Sequence, residues 1–338
     1  MVTKGMKSMV DSVLKDHLSR FPLLGKLVAG TRQEHQVTLP GRALNDEPRP
    51  VISIAGKNPG PVVFINAGVH GGEYPAIEAA IRIGRSLDPE TLSGTVVVMP
   101  VLNLPAFWKR SIFVCPIDDL NPNRIFPGDP EGSYSEQMVY ALTNEFMARA
   151  DCYIDLHGGD IVEGLVPFSI CRKGQSDVDQ KSLELASVFG LPFVLTVDRP
   201  IQPSKGSMSF VAGAERGVPG FIAEAGGVGQ LQFDAVDQLT DGIYRVLNHV
   251  NMIDSPSPAP QISTVLTNFE WMYSEKAGMF YPIVQINESL TEGQLVGHVG
   301  SLFGETIEEI HAPLSGRVLF ITTSPAVIEH GLLMGIGA

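Results

Sequence analysis

The sequence predicts an α/β fold: a mixed, mostly parallel sheet flanked by helices, followed by a small C-terminal all-β domain. From about residue 61 to 253, strand-like apolar runs alternate with segments of helical period, which is typical of a parallel sheet covered on both faces. After the Pro/Ser-rich segment 254–263, the chain becomes short β-like runs separated by Gly and Pro. We therefore predict a leader over 1–40, a main domain over 41–255 and a β-barrel-like domain over 264–338.

The first strand–helix–strand unit follows the polar leader. "PVVFINAGVH" (61–70) is a continuous apolar run, as a buried strand would be. "EYPAIEAAIRIGRSL" (73–87) has apolar residues at helical spacing, and "GTVVVMPVLN" (94–103) is again a buried strand pattern. These segments predict two neighbouring parallel strands joined by a helix.

The middle of the domain repeats this pattern. "SYSEQMVYALTNEFMARA" (133–150) begins with serines suited to capping and predicts a helix, and "DCYIDLH" (151–157) predicts a strand. A helix over 179–190 ends at Gly190, and "PFVLTV" (192–197) predicts the next strand.

The last elements lie before the β domain. "MSFVAGAERG" (208–217) predicts a short helix, "GFIAEAGG" (220–227) a strand, and 233–253 a long amphipathic helix. The composition of 254–263 is typical of a linker.

Composition excludes several functional classes. With 24 basic and 37 acidic residues, the net charge of −13 argues against a nucleic-acid partner. The sequence contains no stretch of about 18 uncharged apolar residues, so it predicts no membrane span. The three cysteines, Cys115, Cys152 and Cys171, form no CxxC pair, and the N-terminus lacks the apolar core of a signal peptide. We therefore expect no disulfide framework and a cytoplasmic protein.

Three side chains are candidate metal ligands. His70 and Glu73 form "HGGE" where the first predicted strand meets its helix, and His157 ends another strand in "DLHGG". A catalytic zinc takes three protein ligands and keeps a fourth position open, and two His with one Glu is such a set. In α/β sheets, sites lie at the carboxyl ends of strands. The alternative is an ordinary polar strand-to-helix corner, because HxxE alone is a weak signal.

Other candidates could act beside such a metal. Glu224 in "IAEAGG" ends an apolar strand, where a carboxylate is costly unless it is paired or used, and a general base would explain it. The alternative is a Glu that accepts hydrogen bonds from loop amides. Asn123 and Arg124 in "NPNRIFPG" could bind a substrate carboxylate, although a loop Arg is often only solvated. Arg110 in "WKRS" is a second candidate cation.

Five motifs in order carry a family resemblance: "GVHGGEYPAIEA", "NLPAF", "NPNRIFPG", "DLHGG" and "AEAGG". Over roughly residues 45–335 the chain resembles the succinylglutamate desuccinylase/aspartoacylase family, in the zinc carboxypeptidase-like clan. The resemblance implies that His70, Glu73 and His157 bind one Zn²⁺ per chain. It implies Glu224 as the residue that activates the water and protonates the leaving amine.

The resemblance also implies an activity and a partner. Asn123 and Arg124 match the pair that holds the substrate carboxylate, so the expected reaction is hydrolysis of small N-acyl amino acids by a metal-activated water. The pattern "AF…PID…NRxFPG" looks most similar to the branch of N-acetyl-diaminobutyrate deacetylases. Relatives commonly assemble, so a homo-oligomer is expected. Two alternatives stay open: a metallocarboxypeptidase acting on peptides, and a catalytically silent binding module.

The sequence departs from the family pattern at two places. Where relatives place an Arg that polarises the scissile carbonyl, this chain has Cys115 and Pro116 in "FVCPID", so Arg110 is the candidate replacement. Where many relatives have an Asp that orients a zinc-bound His, this chain has Asn121. The β tail resembles a lipoyl-type barrel, but "HAPLSGRV" lacks the modified Lys, so we expect a structural or lid-forming domain.

Overall fold

A computed structural model of the chain describes residues 17–44, 47–198, 206–254 and 262–338. The strands of the main domain are β1 (Thr31–Val37), β2 (Arg49–Ala55), β3 (Asn58–Asn66), β4 (Ser93–Met99), β5 (Cys152–His157), β6 (Glu163–Leu165), β7 (Phe168–Arg172), β8 (Phe193–Val197) and β9 (Gly220–Glu224). The helices are α1 (Tyr74–Ser86), α2 (Leu104–Lys109), α3 (Tyr134–Glu145), α4 (Asp177–Phe189), α5 (Ser209–Glu215) and α6 (Phe233–His249). Single 3₁₀ turns lie at Pro22–Leu24, Pro122–Arg124 and Met147–Arg149.

The C-terminal part of the chain consists of strands. They are β10 (Thr264–Leu266), β11 (Phe269–Tyr273), β12 (Gly278–Pro282), β13 (Ser289–Leu290), β14 (Leu295–Gly300), β15 (Thr306–His311), β16 (Gly316–Thr322), β17 (Ala326–Val327) and β18 (Leu332–Gly337).

A nine-stranded sheet in the order β1-β2-β4-β3-β5-β9-β7-β8-β10 forms the main domain. The pairs β3/β4, β3/β5, β5/β9, β7/β8 and β8/β10 are parallel, whereas β1/β2, β2/β4 and β7/β9 are antiparallel. The mixed, mostly parallel sheet predicted from the sequence is therefore confirmed.

Both faces of this sheet are covered. Alternate residues of β3 point to opposite faces, so Val63 and Ile65 join a core with α1, α4 and α6, while Val62 and Phe64 join another core with α3. All four side chains are fully buried. Burial on both faces explains why β3 is a continuous apolar run rather than an alternating one.

Two antiparallel sheets enclose the C-terminal core. One has the order β11-β18-β16-β13 and the other β15-β14-β12-β17, and both contribute to a single apolar cluster. β6 of the main domain pairs with β16, with Leu165 opposite Phe320 and Glu163 opposite Thr322. The two domains therefore share a sheet, and this junction forms one wall of the site described below.

The predicted elements are present, with shifted ends and some additions. β3 ends at Asn66 rather than 70, and β4 ends at Met99, immediately before Pro100. β1 lies within the predicted leader, and β10 joins the main sheet although it lies within the predicted β domain. Residues 1–16 of the predicted leader and 255–261 of the predicted linker lie outside the described residues. Among the described residues, no helix has the length and hydrophobicity needed to cross a bilayer.

Candidate metal centre and active site

Three buried side chains converge where two parallel strands end. His70 follows β3 by four residues, Glu73 is the N-cap of α1, and His157 is the last residue of β5. His70 Nδ1 lies 2.7 Å from Glu73 Oε1, and His157 Nδ1 lies 2.9 Å from Glu73 Oε2. One ligand atom from each residue lies within 4.8 Å of the others. The three candidate ligands predicted from the sequence are thus brought together.

The other nitrogen of each imidazole faces an oxygen. His70 Nε2 is 3.0 Å from Asn121 Oδ1, and His157 Nε2 is 3.2 Å from Asp155 Oδ2. The Asp155 carboxylate is itself held by donors from Asn66 and Ser209. Such outer partners fix the orientation of a ligating His, so both Nδ1 atoms are directed towards the same point.

The charges of this cluster suit a cation. Burial favours the neutral form of Glu73, but the two neighbouring histidines outweigh it and lower its pKa to about 2. Burial opposes charge on His157, yet Asp155 and Glu73 raise its pKa well above the usual value. Glu73 Oε2 is buried and accepts no well-formed hydrogen bond within the described residues. Two imidazoles and one carboxylate of this kind fit a zinc ion, which would replace the protons held here.

Gly71 and Gly72, the two glycines of the HGGE motif, permit close packing. A Cβ on Gly71 would lie 2.1 Å from the Phe107 amide nitrogen, and one on Gly72 would lie 2.5 Å from Asp160 Oδ1. Neither glycine has a positive φ. These glycines are therefore needed for close packing rather than for a left-handed backbone: they allow α2 and the loop after β5 to approach.

Glu224 lies beside His157 on the neighbouring strand. The two residues are Cα partners at the ends of β9 and β5. Burial, together with repulsion from Glu73 and Asp155, outweighs attraction by His157 and Arg124 and raises the pKa of Glu224 to about 8. Among the described residues, no loop amide donates a hydrogen bond to its carboxyl, which was the alternative explanation of this residue, and Glu224 lines the cavity.

Asn123 and Arg124 lie on the 3₁₀ turn that Asn121 caps. Asn123 is 3% exposed, and its Oδ1 accepts a hydrogen bond from the Ser209 amide, which identifies its NH₂ group as a donor for other partners. The Arg124 guanidinium donates to the Asn123 carbonyl and lies 5.3 Å from the ring centroid of Trp271. Burial lowers the pKa of Arg124.

These groups line a cavity of about 330 Å³ at the junction of the two domains. Its polar end contains His70, Glu73, Asn121, Asn123, Arg124, Glu163 and Glu224. Its apolar wall contains Phe113, Phe168, Ile170, Met208, Phe269, Trp271, Tyr273, Phe320, Ile328 and Leu332. A mostly apolar cavity with a few convergent polar groups is typical of a small-molecule site.

Arg110 and Glu163 are the two residues at which the site differs from the sequence predictions. Arg110 is exposed at the C-terminal end of α2 and does not line the cavity described here, so its role at the carbonyl stays a prediction. Glu163 lines the cavity but was not singled out from the sequence. The sequence signal for Glu163 is slight: one acidic residue in the apolar stretch "IVEGLVPF".

The fold and site together define a class: an α/β protein with a candidate His₂Glu metal centre at the strand ends and a carboxyl beside it. Residues 59–250, more than half of the chain, match the family model of the succinylglutamate desuccinylase/aspartoacylase catalytic domain. The chain belongs to this family.

Individual relatives extend the similarity beyond the matched domain. The N-alpha-acetyl-L-2,4-diaminobutyric acid deacetylase of Halomonas elongata is 26% identical over 288 residues, covering 83% of this chain and 82% of its own. Two solved structures each cover 92% of this chain and 97% of their own. A succinylglutamate desuccinylase/aspartoacylase from Rhodobacter sphaeroides has a TM-score of 0.79 at 23% identity, and the product-bound ectoine utilization protein EutE (DoeB) from Ruegeria pomeroyi has 0.81 at 21%. These structures share the fold, including the β domain.

Proposed function

We propose that this protein is a zinc-dependent amidohydrolase that removes the acyl group from small N-acyl amino acids. The observation that carries the proposal is the convergence of His70, Glu73 and His157 beside Glu224, at a cavity that His70, Glu73 and Glu224 line. Membership of a deacylase family supports the same chemistry.

The metal would be held by His70 Nδ1, His157 Nδ1 and the Glu73 carboxylate. Zn²⁺ supplies Lewis acidity, which makes water more acidic and polarises a carbonyl oxygen. Glu73 carries the negative charge that the ion needs, and Asn121 and Asp155 orient the two imidazoles.

Glu224 is the proposed general base and acid. It accepts a proton from the attacking water and then donates it to the amide nitrogen that leaves. Its position beside His157 places it next to the metal site. A carboxyl whose pKa is raised by burial retains the affinity for a proton that this role requires.

Arg124 and Asn123 would bind the substrate carboxylate. The guanidinium is packed against Trp271, and the Asn123 NH₂ group is oriented by the Ser209 amide. A fixed planar fork and an adjacent donor match two carboxylate oxygens. Holding that carboxylate positions the acyl carbonyl at the metal, which is an entropic contribution to rate.

The cavity favours small substrates over peptides. The β domain contributes Trp271, Phe320 and Leu332 to its walls, and the cavity has a volume of about 330 Å³. The metallocarboxypeptidase alternative needs a cleft open to a chain, and the silent binding module does not explain Glu224 beside the ligands.

The test is metal analysis coupled to an activity screen. We expect about one zinc per chain, removal of activity by a chelator and restoration by Zn²⁺. N-acetyl amino acids should be hydrolysed faster than C-terminal dipeptides. His157→Ala should lose the metal, and the exposed His311→Ala serves as the matched control. Full zinc content in His157→Ala, or preference for dipeptides, would overturn the proposal.

A further inference from the structure

The loop 110–120, which joins α2 to the 3₁₀ turn at Pro122–Arg124, has a strained backbone. Arg110, Phe113 and Asp119 have φ values of 53°, 56° and 55°, in the left-handed region. Residues other than glycine rarely adopt this conformation, and for a bulky residue such as Phe it is an outlier. A strained backbone persists only where its surroundings hold it in place. Contacts with other elements must therefore hold this loop in its conformation.

Two carboxylates hold the loop, one from the loop itself and one from outside it. Asp118 accepts hydrogen bonds from the Ser135 amide at 2.7 Å and from its hydroxyl at 2.8 Å, which fixes the loop to the start of α3. Asp160, in the loop after β5, is fully buried, and its Oδ2 accepts from the Phe113 amide at 2.8 Å. Hydrogen bonds to a carboxylate are stronger than those between neutral groups. Asp160 is thus the outer contact that fixes Phe113.

Both carboxylate oxygens of Asp160 have contacts. Oδ1 accepts from the Ile161 amide at 2.5 Å, and it lies so close to Gly72 that a Cβ there would be 2.5 Å away. Oδ2 accepts from the Phe113 amide. One buried side chain therefore contacts three segments: the HGGE motif, the loop after β5 and the loop 110–120. An amide side chain at this position would offer one acceptor oxygen to two donors.

The Phe113 side chain lies against the candidate metal cluster. Its ring meets the His70 ring edge to face, with centroids 6.0 Å apart and an angle of 86° between the planes. Phe113 also lines the cavity, as His70 and Glu73 do. Only 6% of His70 is exposed. The Phe113 ring is therefore part of the cover that keeps this candidate ligand from solvent.

We propose that Asp160 is a positioning residue that holds Phe113 against His70 and thereby keeps a bound metal ion from exchanging with solvent. The inference rests on the proposed function in one respect, since it takes the cluster to bind zinc. When a ring on a fixed loop covers a metal ligand, release of the ion requires local opening of that loop. Opening depends on the hydrogen bond between Phe113 and Asp160, because a strained backbone relaxes once its support is lost.

A role confined to the loop after β5 is the alternative. Asp160 would then order only its own loop, through the Ile161 amide, and the position of Phe113 would not depend on it. This alternative predicts no change at Phe113 and no change in metal release when the carboxylate is replaced. The two roles can therefore be separated by measurements on the loop 110–120 and on the metal.

Hydrogen exchange of the metal-free protein tests the contact itself. In Asp160→Asn the crowding at Gly72 places the amide oxygen at the Oδ1 position, so the NH₂ group faces the Phe113 N–H. We expect the Phe113 amide to exchange about 10- to 100-fold faster, the scale of one hydrogen bond to a charged group. Mass spectrometry of the peptide containing Phe113 measures this rate, and unchanged exchange in α6 shows that the fold is kept.

The matched control is Asp119→Asn in the same loop. Asp119 is exposed, and Asn tolerates its positive φ as well as Asp does. This variant loses a carboxylate of the loop without losing the bond to Phe113. Its exchange at Phe113 should equal that of the wild type.

Zinc release tests the consequence for the metal. The zinc-loaded protein is mixed with the chelator 4-(2-pyridylazo)resorcinol, whose colour reports the zinc that it captures. Asp160→Asn and Phe113→Ala should each release zinc about 10-fold faster, from the same initial zinc content. The double variant should be no faster than the faster single variant, because both substitutions remove the same ring from His70. Asp119→Asn should release zinc at the wild-type rate.

The outcomes separate this inference from the proposed function. Unchanged exchange at Phe113 in Asp160→Asn, unchanged zinc release in either single variant, or additive effects in the double variant would each overturn the inference. Faster zinc release in both variants without hydrolysis of any amide would support the inference and contradict the proposed function. Amide hydrolysis with equal zinc release in all variants would contradict the inference alone. A wild type that binds no zinc contradicts both.

Discussion

At the residue scale, the site depends on side chains whose roles can be separated by substitution. His70, Glu73 and His157 form the candidate metal cluster, while Glu224 lies beside the cluster without being one of its members. Removing the base should therefore not remove the metal.

Glu224→Gln should keep bound zinc and lose turnover by about 10²- to 10⁴-fold, because the amide cannot take a proton from water. The measurement is kcat together with zinc content by elemental analysis. The control is Glu215→Gln, an exposed carboxyl at the end of α5. Near-normal turnover of Glu224→Gln would remove it from the mechanism.

The sequence predicted that His70, Glu73 and His157 would converge because each has a local signal. Each of the three lies next to glycines after or at the end of a strand, or at the start of a helix, and strand ends meet at one edge of a parallel sheet. Asn121 was also expected beside a ligating His, and it accepts from His70. Glu163 could not be found in this way, because its environment depends on β16, which lies over 150 residues further along the chain.

At the element scale, the helices were easier to predict than the strands. α6 differs from its predicted range only at its C-terminal end, because its apolar stripe and length are strong signals. β2 and β7 were missed, and β2 begins with Arg49 and Pro50, which are not typical of a buried strand. β7 also runs antiparallel to β9, a direction that a local pattern does not specify.

The stabilisation contributed by the first turn of α4 depends on pH. Asp179 forms a capping box with Ser176 and accepts from Arg172 Nε at 2.6 Å. Burial raises its pKa, but these donors outweigh burial and lower it. Because the folded pKa lies below the unfolded value of about 3.9, this stabilisation is present above that value and is lost as the pH falls through the folded pKa.

Asp179→Asn should lower the free energy of unfolding by about 1–2 kcal/mol at pH 7. The difference from wild type should shrink at a second, acidic pH below the lowered folded pKa of Asp179, where the side chain is protonated in both states. Urea unfolding at the two pH values measures it. Asp177→Asn, exposed in the same first turn, is the control and should change stability by less than about 0.5 kcal/mol. Equal losses at both pH values would contradict the assignment.

At the scale of the whole molecule, the cavity belongs to both domains. Trp271 of the β domain lies against Arg124 of the main domain, so the C-terminal part supports the group proposed to bind the substrate carboxylate. The sequence predicted a structural or lid-forming β domain but not the contact between Trp271 and Arg124. A local sequence pattern does not specify which surfaces of two domains pack together. The expected homo-oligomer stays a prediction.

Trp271→Ala should raise KM for an N-acyl amino acid by about 3- to 10-fold, because Arg124 loses an aromatic face worth about 1 kcal/mol. kcat and zinc content should change little. Trp271→Phe, which keeps a ring, should largely restore KM, and Glu270→Ala, exposed on the neighbouring position of β11, is the control. A fall in kcat with unchanged KM would place Trp271 in a different role.

The pairing of β6 with β16 has a consequence for biosynthesis. The candidate metal ligands and Glu224 have all been synthesised once the ribosome reaches residue 224. Strand β16, which pairs with β6 beside Glu163, is synthesised about a hundred residues later. Because chains fold from the N-terminus during synthesis, the main sheet can form while its apolar wall still faces water. A metal ion at the proposed site would therefore have access before the β domain forms, and a truncated product would expose the aromatic surface that the complete chain covers.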